Sequence, residues 1–163
     1  MPENVRPQLR GLLLKYSSVF SKQNGTLDRQ ELVAHSIDTG YNKPVRQPMR
    51  RYPPSHLRAI DQHITDMQQQ GIIEPTYSPW ASNIVFAKKK DGTLRCCVDY
   101  RQLNDAIRKN AYPLPRTDDC LDAMSGSCWF STFDRRSSYH QIALNPTDTD
   151  KTAFITRRGM FKS

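Results

Sequence analysis

The strongest constraint on the fold is a β-hairpin signal in the middle of the chain. Residues 83–87 and 94–98 are two short, mostly apolar runs with strand-like character. Asp91-Gly92 lies between them, and this dipeptide is typical of tight hairpin turns. Alternation along the second run gives it one apolar face, formed by Leu94, Cys96 and Val98. The sequence therefore predicts an antiparallel hairpin that packs one face on a core.

The tip of this hairpin is basic. Lys88, Lys89 and Lys90 precede the turn, and Arg95 follows it. A cationic tip suits a triphosphate or a nucleic-acid backbone. Lysines also protect exposed strand edges against aggregation. The pattern alone does not decide between these two interpretations.

The chain as a whole is also basic, with 24 Lys and Arg residues against 16 Asp and Glu and a net charge of +8. Such a charge is typical of proteins that bind nucleic acid, because phosphate neutralisation releases counterions. A solvated basic surface is the alternative. Residues 88–116 contain eight basic residues against three acidic ones, and residues 45–58 contain four arginines and no acid. This clustering favours a polyanionic partner.

The apolar fraction is low for a globular chain. It is 37%, and the chain has 11 prolines, whereas typical domains have about 45–50% apolar residues. This composition indicates a thin core. No apolar run reaches the ~18 residues of a membrane span, and no N-terminal signal segment is present, so no membrane partner is predicted. The four cysteines form no Cys-x-x-Cys pair, which predicts reduced, structural thiols.

Three helices are expected from apolar periodicity. The clearest begins at Ser55 as N-cap and ends at Gly71, with an apolar stripe formed by Leu57, Ile60, Ile64 and Met67. An earlier helix has its stripe at Leu9, Leu12, Leu13 and Tyr16. A short helix over residues 117–125 is predicted to turn Leu121 and Met124 inward. Residues 21–39 are predicted to be a loop, with at most a short strand over 33–37.

The C-terminal third is predicted to contain strands. Residues 128–133 look like a buried strand that ends at Asp134, and a second run begins at Tyr139 and includes Ile142 and Leu144. Residues 152–156 form a third candidate. Trp80 and Trp129 are predicted core residues. Together with the helices, these runs predict a mixed α+β fold.

Several motifs, in this order and spacing, resemble reverse transcriptases of gypsy-type LTR retrotransposons. They are the lead-in HSIDTG (35–40), GIIEP (71–75), SPWAS (78–82), KKDGTLR (89–95), CVDYRQLN (97–104), YPLP (112–115), FSTFD (130–134), YHQI (139–142) and KTAF (151–154). The resemblance covers about residues 35–163. It implies a partial right-hand polymerase fold, with a fingers hairpin and the first part of an antiparallel palm sheet with helices. Residues 1–50 would be a leader, 51–115 the fingers, and 116–163 the N-terminal, incomplete part of the palm.

The resemblance also implies an activity, RNA-directed DNA polymerisation. The reaction transfers a nucleotide from a dNTP to a primer 3′-hydroxyl with two Mg²⁺ ions. The family's Tyr-x-Asp-Asp motif, which supplies two further aspartates, does not occur in these 163 residues. We therefore expect a truncated chain that is inactive alone. The expected partners are an RNA or DNA template–primer, a dNTP and the rest of the Pol polyprotein (palm, thumb and RNase H), in a cytoplasmic virus-like particle.

Individual site residues follow from the same resemblance. Asp134 matches the first metal-binding aspartate, and the backbone carbonyl of Arg135 would be a second metal ligand. The residues that would contact the dNTP are Lys89, Arg95, Arg135, Ser138 and Tyr139, with the Tyr139 ring under the sugar. The residues expected to bind nucleic acid are Lys88, Lys90 and Arg101.

Two of these residues depart from the family pattern. Arg135 stands where the family usually has leucine, and Ser138 stands where it usually has glycine. A cation beside two Mg²⁺ ions is unfavourable, and serine would resist a positive φ if the position required one. These departures suggest a decaying copy of the element. The alternative function is then a non-catalytic nucleic-acid-binding remnant.

Overall fold

The computed structural model describes residues 3–20, 30–90, 92, 94–134 and 138–163. The helices are α1 (Val5–Lys15), α2 (Pro54–Gln69), α3 (Arg101–Ala106) and α4 (Thr117–Ala123). The strands are β1 (Gln30–His35), β2 (Glu74–Pro75), β3 (Asn83–Lys88), β4 (Leu94–Asp99), β5 (Ile142–Leu144), β6 (Phe154–Thr156) and β7 (Gly159–Lys162). Short 3₁₀ helices cover Ser17–Val19, Ser138–His140 and Thr149–Thr152. This mixture confirms the α+β prediction.

Helix α2 lies where its periodicity predicts, but its start differs. Ser55 was expected to be the N-cap, whereas the N-cap is Pro53 and the helix begins at Pro54, because proline is pre-organised for the first helical turn. At the other end Gly71 has φ +64°. Its N–H bonds to the Gln68 carbonyl at 3.0 Å, and the Ile72 N–H bonds to the Met67 carbonyl at 2.9 Å. This is a Schellman motif, which confirms the glycine stop.

The main core forms where α2 crosses the sheets. Ile60 and Ile64 of α2 are 2% and 0% exposed. They pack with residues from the chain after α2 and from three strands. These core partners are Ile72, Ile73, Ile84, Phe154 and Phe161. The apolar stripe of α2 is therefore the centre of the fold.

The predicted hairpin is confirmed. Strands β3 and β4 pair antiparallel, with Asn83 opposite Asp99 and Lys88 opposite Leu94. Cys96 and Val98 pack against the main core, as alternation predicts, whereas Leu94 near the tip is 43% exposed. Burial raises the pKa of the Cys96 thiol to about 11, so this cysteine is a packing residue.

The second sheet has the order β2-β7-β6 and is antiparallel. The strand expected over 152–156 is present as β6 but begins only at Phe154, because Thr152 is the last residue of the Thr149–Thr152 3₁₀ helix. Strand β7 was not predicted. A two-residue turn, Arg157-Arg158, joins it to β6, with Thr156 opposite Gly159.

Strands β1 and β5 form a separate parallel pair. A loop was predicted over residues 21–39, and its first part, residues 21–29, lies outside the described residues. Residues 30–35 form strand β1 instead of a loop. The strand expected to begin at Tyr139 begins at Ile142, because residues 138–140 form a 3₁₀ helix. A second core cluster of Ile37, Trp80 and Leu103 lies beside this pair.

The backbone of Ile37 is held on both sides. Its N–H donates to Asp148 Oδ2 at 2.9 Å, and its carbonyl accepts from Lys151 Nζ at 2.6 Å. Lys151 also bonds to Asp148 Oδ1 at 2.7 Å. These bonds attach the chain after β1 to the Thr149–Thr152 turn, so residues near 37 are integrated into the fold.

Residues 111–134 differ most from the expectations, since every one of them is exposed. Helix α4 forms, but Leu121 and Met124 are 57% and 43% exposed rather than turned inward. Residues 128–133 form no strand, and Trp129 is 65% exposed, whereas Trp80 is buried as predicted. A strand needs a neighbour for its N–H and C=O groups. The described strands pair elsewhere.

Helix α1 forms as predicted, yet none of its residues is buried. In the part of the chain that the structure describes, no helix is long and apolar enough to cross a membrane.

Candidate functional site

The hairpin tip presents its cations to solvent. Lys88, Lys89, Lys90 and Arg95 are all exposed. The Gly92 N–H bonds to the Lys89 carbonyl at 3.0 Å, and Gly92 has φ +82°. Among the described residues, no acid forms an ion pair with these four side chains. The described part of the tip is therefore a positive surface supported by the paired strands β3 and β4.

Three of the predicted nucleotide contacts meet in one cavity. A cavity of about 450 Å³ is lined by Arg95 of β4 and by Ser138 and Tyr139 of the 3₁₀ helix. Met67, Ile84, Val98 and Phe154 contribute apolar wall. Lys89 does not line it and lies on the tip above β3. The cavity thus joins a guanidinium, a hydroxyl and an aromatic ring from segments more than forty positions apart.

Tyr139 is 69% exposed at the mouth of this cavity rather than a core residue. Its ring meets the His140 ring edge-on, with centroids 5.4 Å apart. Ser138 begins the 3₁₀ helix, whose usual φ is negative, so the serine is compatible with this backbone. A serine with the usual 3₁₀ geometry would not carry the strain of a left-handed conformation.

The metal site is not assembled by the described residues. Asp134 is exposed at the end of the unpaired segment, and Arg135 lies outside the described residues. Across residues 3–20, 30–90, 92, 94–134 and 138–163, no group of three or more His, Cys, Asp or Glu side chains could hold a metal. Mg²⁺ needs several oxygen ligands. One carboxylate alone does not satisfy it.

Arg101 is held by a buried carboxylate. Its Nε and Nη2 donate to Asp99 Oδ1 and Oδ2, both at 2.7 Å. Arg50 Nη2 donates to the same Oδ2 at 3.4 Å. The side-chain hydrogen bonds from Arg101 lower the pKa of Asp99 to about 2, and the positive charge of Arg50 contributes to this shift. Asp99 is therefore ionised at neutral pH and holds two cations in place.

Sequence reasoning missed Arg50 and its support. The sequence shows the four arginines of residues 45–58 only as a basic stretch, and it does not single out Arg50. The contacts that place Arg50 come from Asn83 and Asp99, more than thirty positions away. The clustered arginines were the only signal, because a buried hydrogen-bond network has no periodicity.

Several known proteins are similar to this chain in sequence. Residues 87–163 match the family described as reverse transcriptase (RNA-dependent DNA polymerase). The chain is 29% identical over 160 residues to a retrovirus-related Pol polyprotein from transposon 297 of Drosophila melanogaster, covering 95% of this chain and 15% of the relative. It is 38% identical over 119 residues to the transposon Tf2-3 polyprotein of Schizosaccharomyces pombe, covering 72% and 9%.

Solved structures show the same architecture. The prototype foamy virus protease-reverse transcriptase superposes with a TM-score of 0.83 at 23% identity, covering 99% of this chain and 22% of that one. A foamy viral protease-reverse transcriptase solved with an RNA/DNA hybrid gives a TM-score of 0.77 at 19% identity, with the same two coverages. The fold is thus that of a reverse transcriptase polymerase region.

Over residues 87–163 the chain belongs to the reverse transcriptase family, and its relatives are gypsy-type retrotransposon Pol polyproteins. It spans 15% or less of the curated relatives just described. Enzymes of this family generally use Mg²⁺.

Proposed function

We propose that this chain forms the dNTP-binding fingers and the first part of the palm of an RNA-directed DNA polymerase. The supporting observation is the single cavity that contains Arg95, Ser138 and Tyr139. Arg95 and Lys89 would bind the triphosphate, since a guanidinium is a fixed fork for phosphate and an ammonium is a mobile point charge. The Tyr139 ring at the mouth would lie under the sugar and exclude a 2′-hydroxyl by its bulk.

In this proposal the primer 3′-hydroxyl attacks the α-phosphate, and pyrophosphate leaves. Charge stabilisation of the entering and leaving oxygens would come from two Mg²⁺ ions when they are bound. Asp134 contributes one carboxylate, and further carboxylates come from other parts of a longer Pol polyprotein. We therefore expect no polymerisation by the 163-residue chain alone. Its partners are a template–primer, a dNTP and the remaining polymerase segments.

Nucleotide binding tests the proposal directly. Equilibrium dialysis with radiolabelled dTTP should show binding by the chain that falls at least about tenfold in Arg95→Ala, since a charge-assisted hydrogen bond contributes roughly 1.5–3 kcal/mol. Lys15→Ala on α1 removes the same charge outside the cavity and should bind like wild type. Equal affinity in Arg95→Ala and wild type would contradict the assignment of Arg95.

Primer extension tests the expected inactivity. With an oligo(dT)-primed poly(rA) template and Mg²⁺, the chain should add no nucleotides. If the chain extended the primer and Asp134→Asn did not, the carboxylates of these 163 residues would support catalysis through Asp134. The proposal that further ligands are required would then be wrong.

A second candidate is a non-catalytic nucleic-acid-binding module. The net charge of +8 and the unpaired cations at the hairpin tip favour it. It predicts nucleic-acid affinity that falls steeply with salt and is independent of Mg²⁺. The absence of dTTP binding together with salt-dependent nucleic-acid binding would select this candidate.

A further inference from the structure

A buried polar network fixes the path of residues 47–50. Asn83 is 2% exposed, and its Nδ2 donates to Gln47 Oε1 at 3.1 Å and to the Pro48 carbonyl at 2.8 Å. Gln47 Nε2 donates to the Asp99 carbonyl at 3.3 Å. Among the described residues, every buried side-chain polar atom has a partner. A fully satisfied network of this kind holds one backbone arrangement.

This network places Arg50 beside Arg101. The Arg50 N–H donates to Asn83 Oδ1 at 3.2 Å, and its Nη2 donates to Asp99 Oδ2 at 3.4 Å. Arg101 Nη2 donates to that same oxygen at 2.7 Å. Two guanidinium groups from different segments are therefore neighbours on one carboxylate.

The charges of this group do not cancel. Two guanidinium groups and one carboxylate leave a local charge of +1. The Arg50 and Arg101 side chains are 48% and 79% exposed, while that of Asp99 is 5% exposed. Within the described ranges, no second carboxylate forms an ion pair with either arginine. Arg50 uses one of its five N–H donors on Asp99. The other four donors form no hydrogen bond with any described residue, and the half-exposed side chain can present them to an anion from solvent.

We propose that Arg50 is a nucleic-acid phosphate contact, held beside Arg101 by Asn83 and Asp99. The inference rests on the proposed function, and the family resemblance implies that its neighbour Arg101 is a nucleic-acid-binding residue. The ligand is a backbone phosphodiester, since its single negative charge matches the local charge and its oxygens accept from a guanidinium fork. Asn83 acts through Arg50 and is a positioning residue.

Salt-dependent binding of the full 163-residue chain tests this. Fluorescence anisotropy with labelled oligo(dT), titrated with KCl, gives the slope of log affinity against log salt. Arg50→Ala should lower the magnitude of this slope by about 0.7, the value for one lost phosphate contact on a single strand. Arg10→Ala is the matched control, because Arg10 is an exposed arginine of α1 outside both the network and the basic stretch of residues 45–58. Its slope should equal that of wild type.

Two further variants separate position from charge. Asn83→Ala keeps the net charge but removes the anchor of the Arg50 backbone, so its slope should fall as in Arg50→Ala. Arg50→Gln removes the charge and retains an N–H donor for Asp99, and it decides the question if Arg50→Ala does not fold. A slope in folded Arg50→Gln equal to those of wild type and Arg10→Ala would overturn this inference and leave the proposed function standing. A wild-type chain that does not bind oligo(dT) would overturn both it and the nucleic-acid part of the proposed function.

Discussion

Removing the Asp99 carboxylate tests how much its two arginines contribute to stability. In Asp99→Asn, Arg50 and Arg101 keep their charges but lose the anion that joins them. The pKa of Asp99 falls from 3.8 to about 2 in the folded chain. At ~1.36 kcal/mol per pKa unit this shift corresponds to about 2 kcal/mol. Because the Arg101 side chain is 79% exposed and solvent screens such pairs, we expect a loss of about 1 kcal/mol at pH 7.

The pH dependence gives this prediction a definite sign. The folded pKa lies below the unfolded one, so the stabilisation is fully present above the unfolded value of 3.8 and is lost as pH falls through about 2. Urea unfolding followed by circular dichroism should show a constant difference between wild type and Asp99→Asn from pH 7 to pH 5. The difference should shrink as pH is lowered from 4 towards 2.

A matched control isolates the ion pair from general charge effects. Asp105 is an exposed aspartate of α3, and Asp105→Asn should leave stability within about 0.5 kcal/mol of wild type, as is usual for surface substitutions. The reasoning would be refuted if Asp99→Asn were as stable as wild type at pH 7. It would also be refuted if the two proteins differed equally at pH 7 and pH 2.5.

Three other perturbations probe the fold. Ile64→Ala should lower the free energy of unfolding by about 2–5 kcal/mol in urea, because Ile64 is 0% exposed in the main core. Gly40→Ala should cost about 1–2 kcal/mol, since Gly40 has φ +53° and an added Cβ would lie 2.6 Å from Arg108 Nε; combining it with Arg108→Ala should recover the steric part of that loss in the same assay. Trp129 is 65% exposed and Trp80 is 7% exposed. Acrylamide should therefore quench the fluorescence of Trp80→Phe, which retains Trp129, far more than that of Trp129→Phe, which retains Trp80.

The elements that sequence patterns predicted well are those with local causes. Helix α2 depends on its own stripe and on Gly71, whose positive φ closes the last turn. The β3–β4 hairpin depends on two adjacent runs and one turn. Both are specified within about twenty residues, so periodicity and turn chemistry suffice.

The strand pairings and hydrogen bonds that sequence patterns missed join distant parts of the chain. Strand β1 pairs with β5 across more than one hundred positions, and the Asp148 bond to Ile37 has a similar separation. Nothing local in residues 30–37 indicates these partners. The same limit applies to the site: motif resemblance named Arg95, Ser138 and Tyr139 one by one, but only the fold brings them to one cavity.

The wrong prediction for residues 128–133 has a different cause. An apolar run shows that a segment can be buried as a strand, but it does not show that a partner strand is present. Here the backbone is unpaired, and Trp129, Phe130 and Phe133 are 65%, 64% and 76% exposed. Large exposed apolar patches mark interaction sites in many proteins. Asp134 follows directly, so a partner strand that buried these rings would also fix the position of the carboxylate. Burial of the segment and assembly of the metal site would then depend on the same pairing.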